Sequence, residues 1–124
     1  MNVLIVDDEL DLVETLMERL ELRGIESKGA TSGPEALTAV AKKRFDVVLL
    51  DIKMPGMGGL QVLETIKERW PEQRVVLLTG HGSPEDAAEG IRLGADDCLM
   101  KPVKLGELIA ALEKSVGKGE SRDR

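Results

Sequence analysis

The sequence predicts an α/β fold in which a five-stranded parallel sheet is covered by helices on both faces. Short apolar runs alternate with longer amphipathic segments five times along the 124 residues. The runs are nearly continuous Val, Ile and Leu, as in strands that are buried on both faces. Repeated strand–helix units connect by right-handed crossovers, which place helices on both sides of one sheet. The predicted strands span residues 2–6, 25–30, 46–50, 74–79 and 97–100, and the second, as the most polar, is expected at an edge.

Each predicted helix has a start signal, a stop signal or an apolar stripe. Ser32 and Ser83 stand at capping positions with a proline in the first turn behind them, and Gly24 is a stop signal after the first helix. The stripes have the spacing of one helical face. They comprise Val13, Leu16, Met17 and Leu20 in the first helix, Leu60, Leu63 and Ile66 in the third, a thin set of Ala87, Ala88 and Ile91 in the fourth, and Leu105, Leu108, Ile109, Leu112 and Val116 in the fifth.

The bulk composition excludes several classes of protein. The length suits one domain, which we expect over residues 1–117 with a polar, disordered tail over 118–124. A net charge of −6 and a pI near 4.9 argue against nucleic-acid binding by this segment. No apolar run approaches the ~20 residues of a membrane span, and no signal peptide precedes the first strand. The single cysteine, Cys98, cannot form an internal disulfide, and together these features predict a cytoplasmic protein.

Polar and charged side chains stand where four of the predicted strands end. Asp7 and Asp8 follow the first strand, Asp51 follows the third, Thr79 closes the fourth and Lys101 follows the fifth. In open parallel sheets, ligands bind outside the carboxyl ends of the strands. We therefore expect these five side chains to meet in one crevice, and this crevice is the main indication of function.

Three carboxylates beside one ammonium are typical of a site for a divalent cation and an anionic ligand. Two like charges about 4 Å apart cost about 4 kcal/mol at an effective dielectric constant of about 20, so the aspartates need a counterion besides Lys101. Oxygen ligands with room for water favour Mg²⁺. A dication also supports phosphoryl transfer to a carboxylate. Asp51, alone at its strand end before the glycine-rich loop 55–59, is the expected nucleophile, and Thr79 and Lys101 can hold the phosphoryl oxygens.

Residues 1–116 resemble the receiver domains of two-component response regulators. The motifs that carry the resemblance are VDDE at 6–9, LLDIKMPGMGG at 49–59, LLTGHGS at 77–83 and LGADDCLMKP at 93–102. The resemblance implies a flavodoxin-like doubly wound fold with strand order 2-1-3-4-5. It also implies phosphorylation of an aspartate by the phosphohistidine of a partner.

The same resemblance implies a role for each acidic residue of the crevice. Asp51 matches the phosphoacceptor, and Asp8 and Asp51 match the carboxylates that bind Mg²⁺ directly. Asp7 matches the carboxylate that usually acts on the metal through water. Lys53 matches the residue whose backbone carbonyl completes the metal site.

The remaining landmarks belong to the switch. Thr79 and Lys101 match the hydroxyl and the ammonium that bind the phosphoryl group, and the bond before Pro102 matches a peptide bond that is commonly cis in the family. Two positions depart from the family pattern. Cys98 stands at the switch position where Tyr or Phe is usual, which removes much of the volume change that couples this position to Thr79. Gly58 replaces a common Asp, which predicts a looser loop.

The sequence therefore predicts a phosphorylation-controlled switch rather than an enzyme, because such a domain catalyses only its own modification. A sensor histidine kinase, a phosphotransfer protein or a small donor such as acetyl phosphate would phosphorylate Asp51 with Mg²⁺. The surface formed by the fourth helix, fifth strand and fifth helix would then change and bind a partner or a second copy of the domain. His81, the single histidine, is expected to have no catalytic role.

Three alternatives remain open at the level of sequence. A haloacid-dehalogenase-type phosphatase also uses a strand-end aspartate, but it requires Asp-x-Asp where this chain has adjacent aspartates. A flavin-binding electron carrier shares the fold, but Asp7, Asp8 and Glu9 would repel a flavin phosphate and aromatic residues are few. A degenerate receiver that acts as a constitutive protein-interaction module is favoured by Cys98 and would fail to be phosphorylated.

Overall fold

The described residues form five parallel strands and five helices in strict alternation. The computed structural model describes residues 1–80 and 83–121, with side chains as far as residue 117, so His81 and the last three residues lie outside it. The strands are β1 (Asn2–Val6), β2 (Glu26–Ala30), β3 (Val47–Asp51), β4 (Val75–Thr79) and β5 (Asp97–Met100), and the helices are α1 (Leu10–Glu21), α2 (Gly33–Lys42), α3 (Gly59–Arg69), α4 (Pro84–Arg92) and α5 (Leu105–Ser121). The strand order is β2-β1-β3-β4-β5. The predicted doubly wound α/β fold is therefore confirmed, with the polar second strand at an edge.

The sheet separates two apolar clusters, one on each face. Successive side chains of a strand point to opposite faces, so Leu4 and Val6 of β1 join one cluster while Val3 and Ile5 join the other. Helices α2 and α3 cover the first cluster, and α1 and α5 cover the second. Every residue of β3 and β4 is buried, which explains their continuous apolar sequences.

The predicted helix boundaries follow local backbone chemistry. The Ser32 hydroxyl accepts a hydrogen bond from the Glu35 amide at 3.2 Å, and Ser83 accepts one from the Asp86 amide at 3.3 Å. Each hydroxyl satisfies a backbone donor that has no partner within its helix. Gly24, three residues after the end of α1, has φ of +76°, a conformation that glycine adopts without steric cost.

The fourth helix packs differently from its apolar pattern. Gly90 is its buried residue, whereas Ile91 is 49% exposed. A Cβ atom at Gly90 would collide with the Leu77 side chain of β4. The helix therefore approaches the sheet through a glycine and leaves its largest apolar side chain half in solvent.

The fifth strand and fifth helix are fixed at the end of the sheet opposite the predicted crevice. The Ser115 hydroxyl donates to Asp96 at 2.5 Å, and the Asp96 amide donates to the Val75 carbonyl at 2.8 Å. The backbone of α5 remains helical to Ser121, four residues beyond the domain boundary expected at residue 117. None of the helices in the described part of the chain has the length and apolar content of a membrane span.

Candidate functional site

Three carboxylates meet at the carboxyl edge of the sheet. Asp7 and Asp8 directly follow β1, and Asp51 is the last residue of β3. Because Val6 lies opposite Leu50 in the β1–β3 register, the next residues of both strands are neighbours. One oxygen from each of Asp7, Asp8 and Asp51 lies within 4.8 Å of the others. Asp7 and Asp51 are buried, at 2% and 3% exposure, whereas Asp8 opens to solvent.

Lys101 supplies the positive charge of this cluster. Its Nζ atom donates a hydrogen bond to Asp7 at 2.7 Å and lies 3.6 Å from Asp51 Oδ1. Residue 101 directly follows β5, and its amide donates to the Thr79 carbonyl at 2.8 Å. The peptide bond between Lys101 and Pro102 is cis, as the resemblance implied. The backbone hydrogen bond to Thr79 thus fixes the position of residue 101, and Asp7 is the main partner of its ammonium.

Burial and charge raise the pKa of the Asp51 carboxyl from its ordinary value of 3.8 to about 6. Burial is the largest cause, because it removes water from the charged form, and the neighbouring charge of Asp7 adds to it. Lys101 and the backbone amide of Lys53, which donates to this carboxylate, lower the pKa, while Asp8 raises it slightly. At neutral pH Asp51 is still largely ionised, so it carries a destabilised negative charge that a cation would relieve.

The lysine responds in the opposite way to its surroundings. Burial alone lowers the pKa of Lys101, but the hydrogen bond to Asp7 and the charges of Asp51, Asp7 and Glu9 outweigh that effect. The pKa therefore lies above its ordinary value of 10.5. Lys101 remains an ammonium at any physiological pH.

Thr79 closes β4 between the strands that carry Asp51 and Lys101. Its side chain is 3% exposed, and among the described residues its hydroxyl oxygen is buried without a hydrogen-bond partner. A buried hydroxyl that lacks a partner costs free energy. This orphaned donor suits an anionic ligand bound at the carboxyl edge of the sheet.

Cys98 lies on the same face of the sheet as Thr79, two residue pairs further from the carboxyl edge. Leu77 is its neighbour in the β4–β5 register, and Leu77 and Thr79 point to the same face. Cys98 is half-buried and packs against the apolar cluster that includes Leu77. Burial, followed by the charges of Asp97 and Asp86, raises the pKa of its thiol, so Cys98 here is a small apolar side chain rather than a reactive thiolate.

The loop after Asp51 is held close to the cluster. The Gly59 amide donates to the Ile52 carbonyl at 2.9 Å, and a Cβ atom at Gly59 would lie 2.7 Å from Ile52 Cα. The Lys53 side chain pairs with Asp86 of α4, with Nζ 3.4 Å from Oδ2. The Lys53 backbone amide thus contacts Asp51, while its side chain connects the loop to α4.

An open groove of about 670 Å³ leads to the carboxylates. Asp8, Asp51 and Lys101 line its polar end, and Leu12 and Pro102 line an apolar wall. The exposed carboxylate of Asp8 and the oxygen-only donor set fit a hard divalent cation that retains some of its water. The residues present therefore suit Mg²⁺, and the groove leaves room for a ligand beside it.

One charged residue of this groove was missed from the sequence. Glu9 lines it, with a carboxylate oxygen 3.8 Å from Lys101 Nζ. Its position directly after Asp8 was the available signal, but a glutamate at the start of a helix is usually interpreted as a helix-dipole residue.

The comparisons with known proteins agree with this geometry. Residues 3–113 match the family described as response regulator receiver domain. The transcriptional regulatory protein PrrA of Mycobacterium tuberculosis is 37% identical over 112 residues, which cover 90% of this chain and 48% of PrrA. The response regulator protein FleR of Pseudomonas aeruginosa is 39% identical over 108 residues, which cover 87% of this chain and 23% of FleR. The chain thus spans about half or less of these relatives.

Solved structures show the same similarity. A CheY-like receiver domain from Methanospirillum hungatei superposes with a TM-score of 0.93 at 30% identity, covering 98% of this chain and 97% of that one. The receiver domain of NtrX from Brucella abortus gives a TM-score of 0.88 at 37% identity, covering 93% of this chain and 98% of that one. The resemblance drawn from the sequence motifs is confirmed, and the chain belongs to the receiver domain family of two-component response regulators.

Proposed function

We propose that this domain is a phosphorylation-dependent switch that accepts a phosphoryl group on Asp51 from the phosphohistidine of a sensor histidine kinase or phosphotransfer protein. The observation that carries the proposal is the position of Asp51. It is a buried carboxylate at a strand end, within reach of two further carboxylates and 3.6 Å from an ammonium. A nucleophile beside both a cation site and an anion-binding lysine is the arrangement that phosphoryl transfer to a carboxylate requires.

The transfer itself needs few steps. An Asp51 oxygen attacks the phosphorus, the P–N bond of the phosphohistidine breaks, and its electron pair stays on the imidazole nitrogen, which takes up a proton. The product is an acyl phosphate on Asp51. In this proposal Asp8, Asp51 and the Lys53 carbonyl would hold Mg²⁺ directly, and Asp7 would hold it through water. When bound, Mg²⁺ supplies positive charge that offsets the repulsion between the carboxylates and the phosphoryl oxygens.

Two further side chains bind the product. The Lys101 ammonium leaves its hydrogen bond with Asp7 for a phosphoryl oxygen, which is a short move because Asp51 is already 3.6 Å away. The Thr79 hydroxyl donates to another oxygen and thereby gains the partner that it lacks among the described residues. Both changes favour the phosphorylated state over the free one.

The response then spreads to α4, β5 and α5, which control an output partner or domain. A phosphoryl group can only shift an equilibrium between two states that it binds differently. Helix α4 is suited to such a shift because Gly90 is its buried residue, and Ile91 and Met100 are 49% and 62% exposed beside it. These exposed side chains favour a protein partner or a second copy, rather than nucleic acid, as the ligand of this surface.

The proposal includes the setting of the switch. The domain turns over no metabolite, so it is not an enzyme beyond its own phosphorylation and dephosphorylation. The phosphoryl transfer takes place in the cytoplasm, where histidine kinases are phosphorylated by ATP. Cys98 has less volume than an aromatic ring, so we expect its coupling to Thr79 to be weaker than an aromatic switch residue would give.

Intact-mass measurement after incubation with Mg²⁺ and acetyl phosphate tests the proposal. The wild type should gain one phosphoryl unit of about 80 Da, Asp51→Asn should gain none, and the control Asp11→Asn, an exposed aspartate of α1, should behave as wild type. A gain in Asp51→Asn would contradict the assignment. No gain in the wild type with any donor would favour a constitutive interaction module.

A further inference from the structure

Glu9 holds a carboxylate at the mouth of the groove that leads to Asp51. Its backbone is fixed on both sides, since its amide donates to Asp7 Oδ1 at 2.9 Å and its carbonyl accepts from the Val13 amide at 3.1 Å. Glu9 is the N-cap residue of α1, yet within the described chain its side chain makes no capping hydrogen bond. The side chain instead lies 3.8 Å from Lys101 Nζ and is 69% exposed.

Lys101 is therefore shared among three carboxylates rather than two. Its Nζ atom lies 2.7 Å from Asp7, 3.6 Å from Asp51 and 3.8 Å from Glu9. Asp7 and Asp51 are buried, whereas the exposed Glu9 lines the same open groove as Asp51 and Lys101. An incoming phosphodonor is an anion, so it meets the charge of Glu9 before it reaches the ammonium.

We propose that Glu9 is a specificity-determining residue that selects phosphodonors by charge and disfavours small, doubly negative ones. This inference rests on the proposed phosphorylation of Asp51. Glu9 repels an anionic donor and competes with its oxygens for Lys101, and both effects grow with the charge of the donor. A protein donor that presents a lysine or arginine to the groove mouth escapes this penalty, because that cation pairs with Glu9.

Two small donors of different charge separate this role from a structural one. Acetyl phosphate is a dianion at neutral pH, and phosphoramidate carries one negative charge less. With acetyl phosphate, the bond from Asp51 to phosphorus forms, the P–O bond breaks and acetate leaves with the electron pair. With phosphoramidate, whose nitrogen is already protonated in the monoanion, the P–N bond breaks and ammonia leaves with the electron pair. The nucleophile and the product are the same, and the reactivity of each leaving group cancels when a variant is compared with wild type for one donor. A difference between the donors in this variant-to-wild-type ratio therefore reports on their approach.

The experiment measures phosphorylation rates by intact mass with Mg²⁺ at low and high salt. Glu9→Gln should accelerate phosphorylation by acetyl phosphate roughly two- to fivefold, as expected for one exposed charge pair. Glu9→Gln should accelerate phosphorylation by phosphoramidate less than it accelerates phosphorylation by acetyl phosphate. Glu9→Lys should accelerate phosphorylation by acetyl phosphate more than Glu9→Gln does. High salt should reduce the difference, since it screens exposed charges. Glu14→Gln removes the same charge from an exposed α1 position in a separate groove and should leave both rates unchanged.

Each remaining result contradicts the role of Glu9. Equal phosphorylation rates for Glu9→Gln and wild type would show that Glu9 does not select donors. Equal acceleration by Glu9→Gln and Glu14→Gln would show an effect of net charge alone. Acceleration that is the same for both donors and insensitive to salt would indicate that Glu9 only positions Lys101. If no variant is phosphorylated by either donor, the proposed function fails as a whole, which differs from a failure confined to Glu9.

Discussion

Replacement of Asp51 by asparagine should stabilise the metal-free protein although it removes the proposed phosphoacceptor. The carboxyl of Asp51 has a pKa of about 6 against an ordinary 3.8, so folding makes its ionised form unfavourable. Each pKa unit corresponds to about 1.36 kcal/mol, and the rise therefore corresponds to about 3 kcal/mol at pH 7.5. Asparagine has nearly the same shape and no charge, so Asp51→Asn should recover up to that amount.

The pH dependence of this gain has a definite sign. Because the pKa is higher in the folded state, the folded protein holds the Asp51 proton more tightly than the unfolded chain does. The loss of folding stability caused by ionised Asp51 is fully present above pH 6. It decreases as the pH falls through 6 and disappears below 3.8, the pKa of this carboxyl in the unfolded chain. The stability difference between Asp51→Asn and wild type should therefore shrink from about 3 kcal/mol at pH 7.5 towards zero near pH 4.

Thermal denaturation in EDTA measures this difference. At pH 7.5 the Tm of Asp51→Asn should exceed that of wild type by roughly 10 °C for a domain of this size, whereas the surface control Glu14→Gln should change it little. Mg²⁺ should then raise the Tm of wild type more than that of Asp51→Asn, because binding stabilises only the folded state with an intact site. An Asp51→Asn variant that melts at or below the wild-type temperature at pH 7.5, or a difference that stays constant down to pH 4.5, would refute the reasoning.

Three further predictions concern the neighbours of Asp51. Lys101→Met should destabilise the metal-free protein, because Asp7, at 2% exposure, loses its partner. The same variant should bind Mg²⁺ about tenfold more tightly in a calorimetric titration, because it removes a repelling charge. Weaker Mg²⁺ binding would count against the metal site. Thr79→Val should be neutral or up to about 1 kcal/mol stabilising in denaturant melts, because it removes a buried hydroxyl without a partner among the described residues. It should nevertheless weaken retention of the phosphoryl group on Asp51. A marked loss of stability would disprove the stability prediction. Gly59→Ala should cost at least 2 kcal/mol, because its Cβ would collide with the backbone of Asp51 and Ile52, whereas Gly106→Ala, with open space in α5, should stabilise by up to about 1 kcal/mol in the same melts.

The sequence predicted the sheet well because burial on both faces leaves little room for polar residues. Every predicted strand boundary lies within one residue of the observed one. The convergence of Asp7, Asp8 and Asp51 followed from the same logic, since parallel strands end at one edge. Topology thus determines which residues approach one another.

Side-chain pairing could not be predicted in the same way. Lys101 donates to Asp7 at 2.7 Å and lies further from Asp51, a preference that depends on rotamers and on the depth of each carboxylate. The contact of Glu9 with Lys101 depends on the direction of a flexible side chain. The apolar pattern of α4 likewise placed Ile91 towards the sheet, but Gly90 allows a closer approach at another angle and leaves Ile91 half exposed.

The apolar pattern did not define where α5 ends, for a related reason. Residues 117–121 offer no apolar stripe, and two glycines among them weaken helix propensity. Helix periodicity therefore gave no signal there, although the backbone remains helical to Ser121. The expected boundary at residue 117 and the tail from 118 remain predictions.

Chemical trapping of the phosphorylated residue tests the central proposal most directly. Borohydride reduces an aspartyl phosphate to homoserine, and tandem mass spectrometry of the digested protein then locates the modified position. After incubation with Mg²⁺ and a phosphodonor, homoserine should be found at position 51. Homoserine at position 7 or 8, or no homoserine in a sample whose intact mass has risen by about 80 Da, would contradict the assignment of Asp51 as the phosphoacceptor.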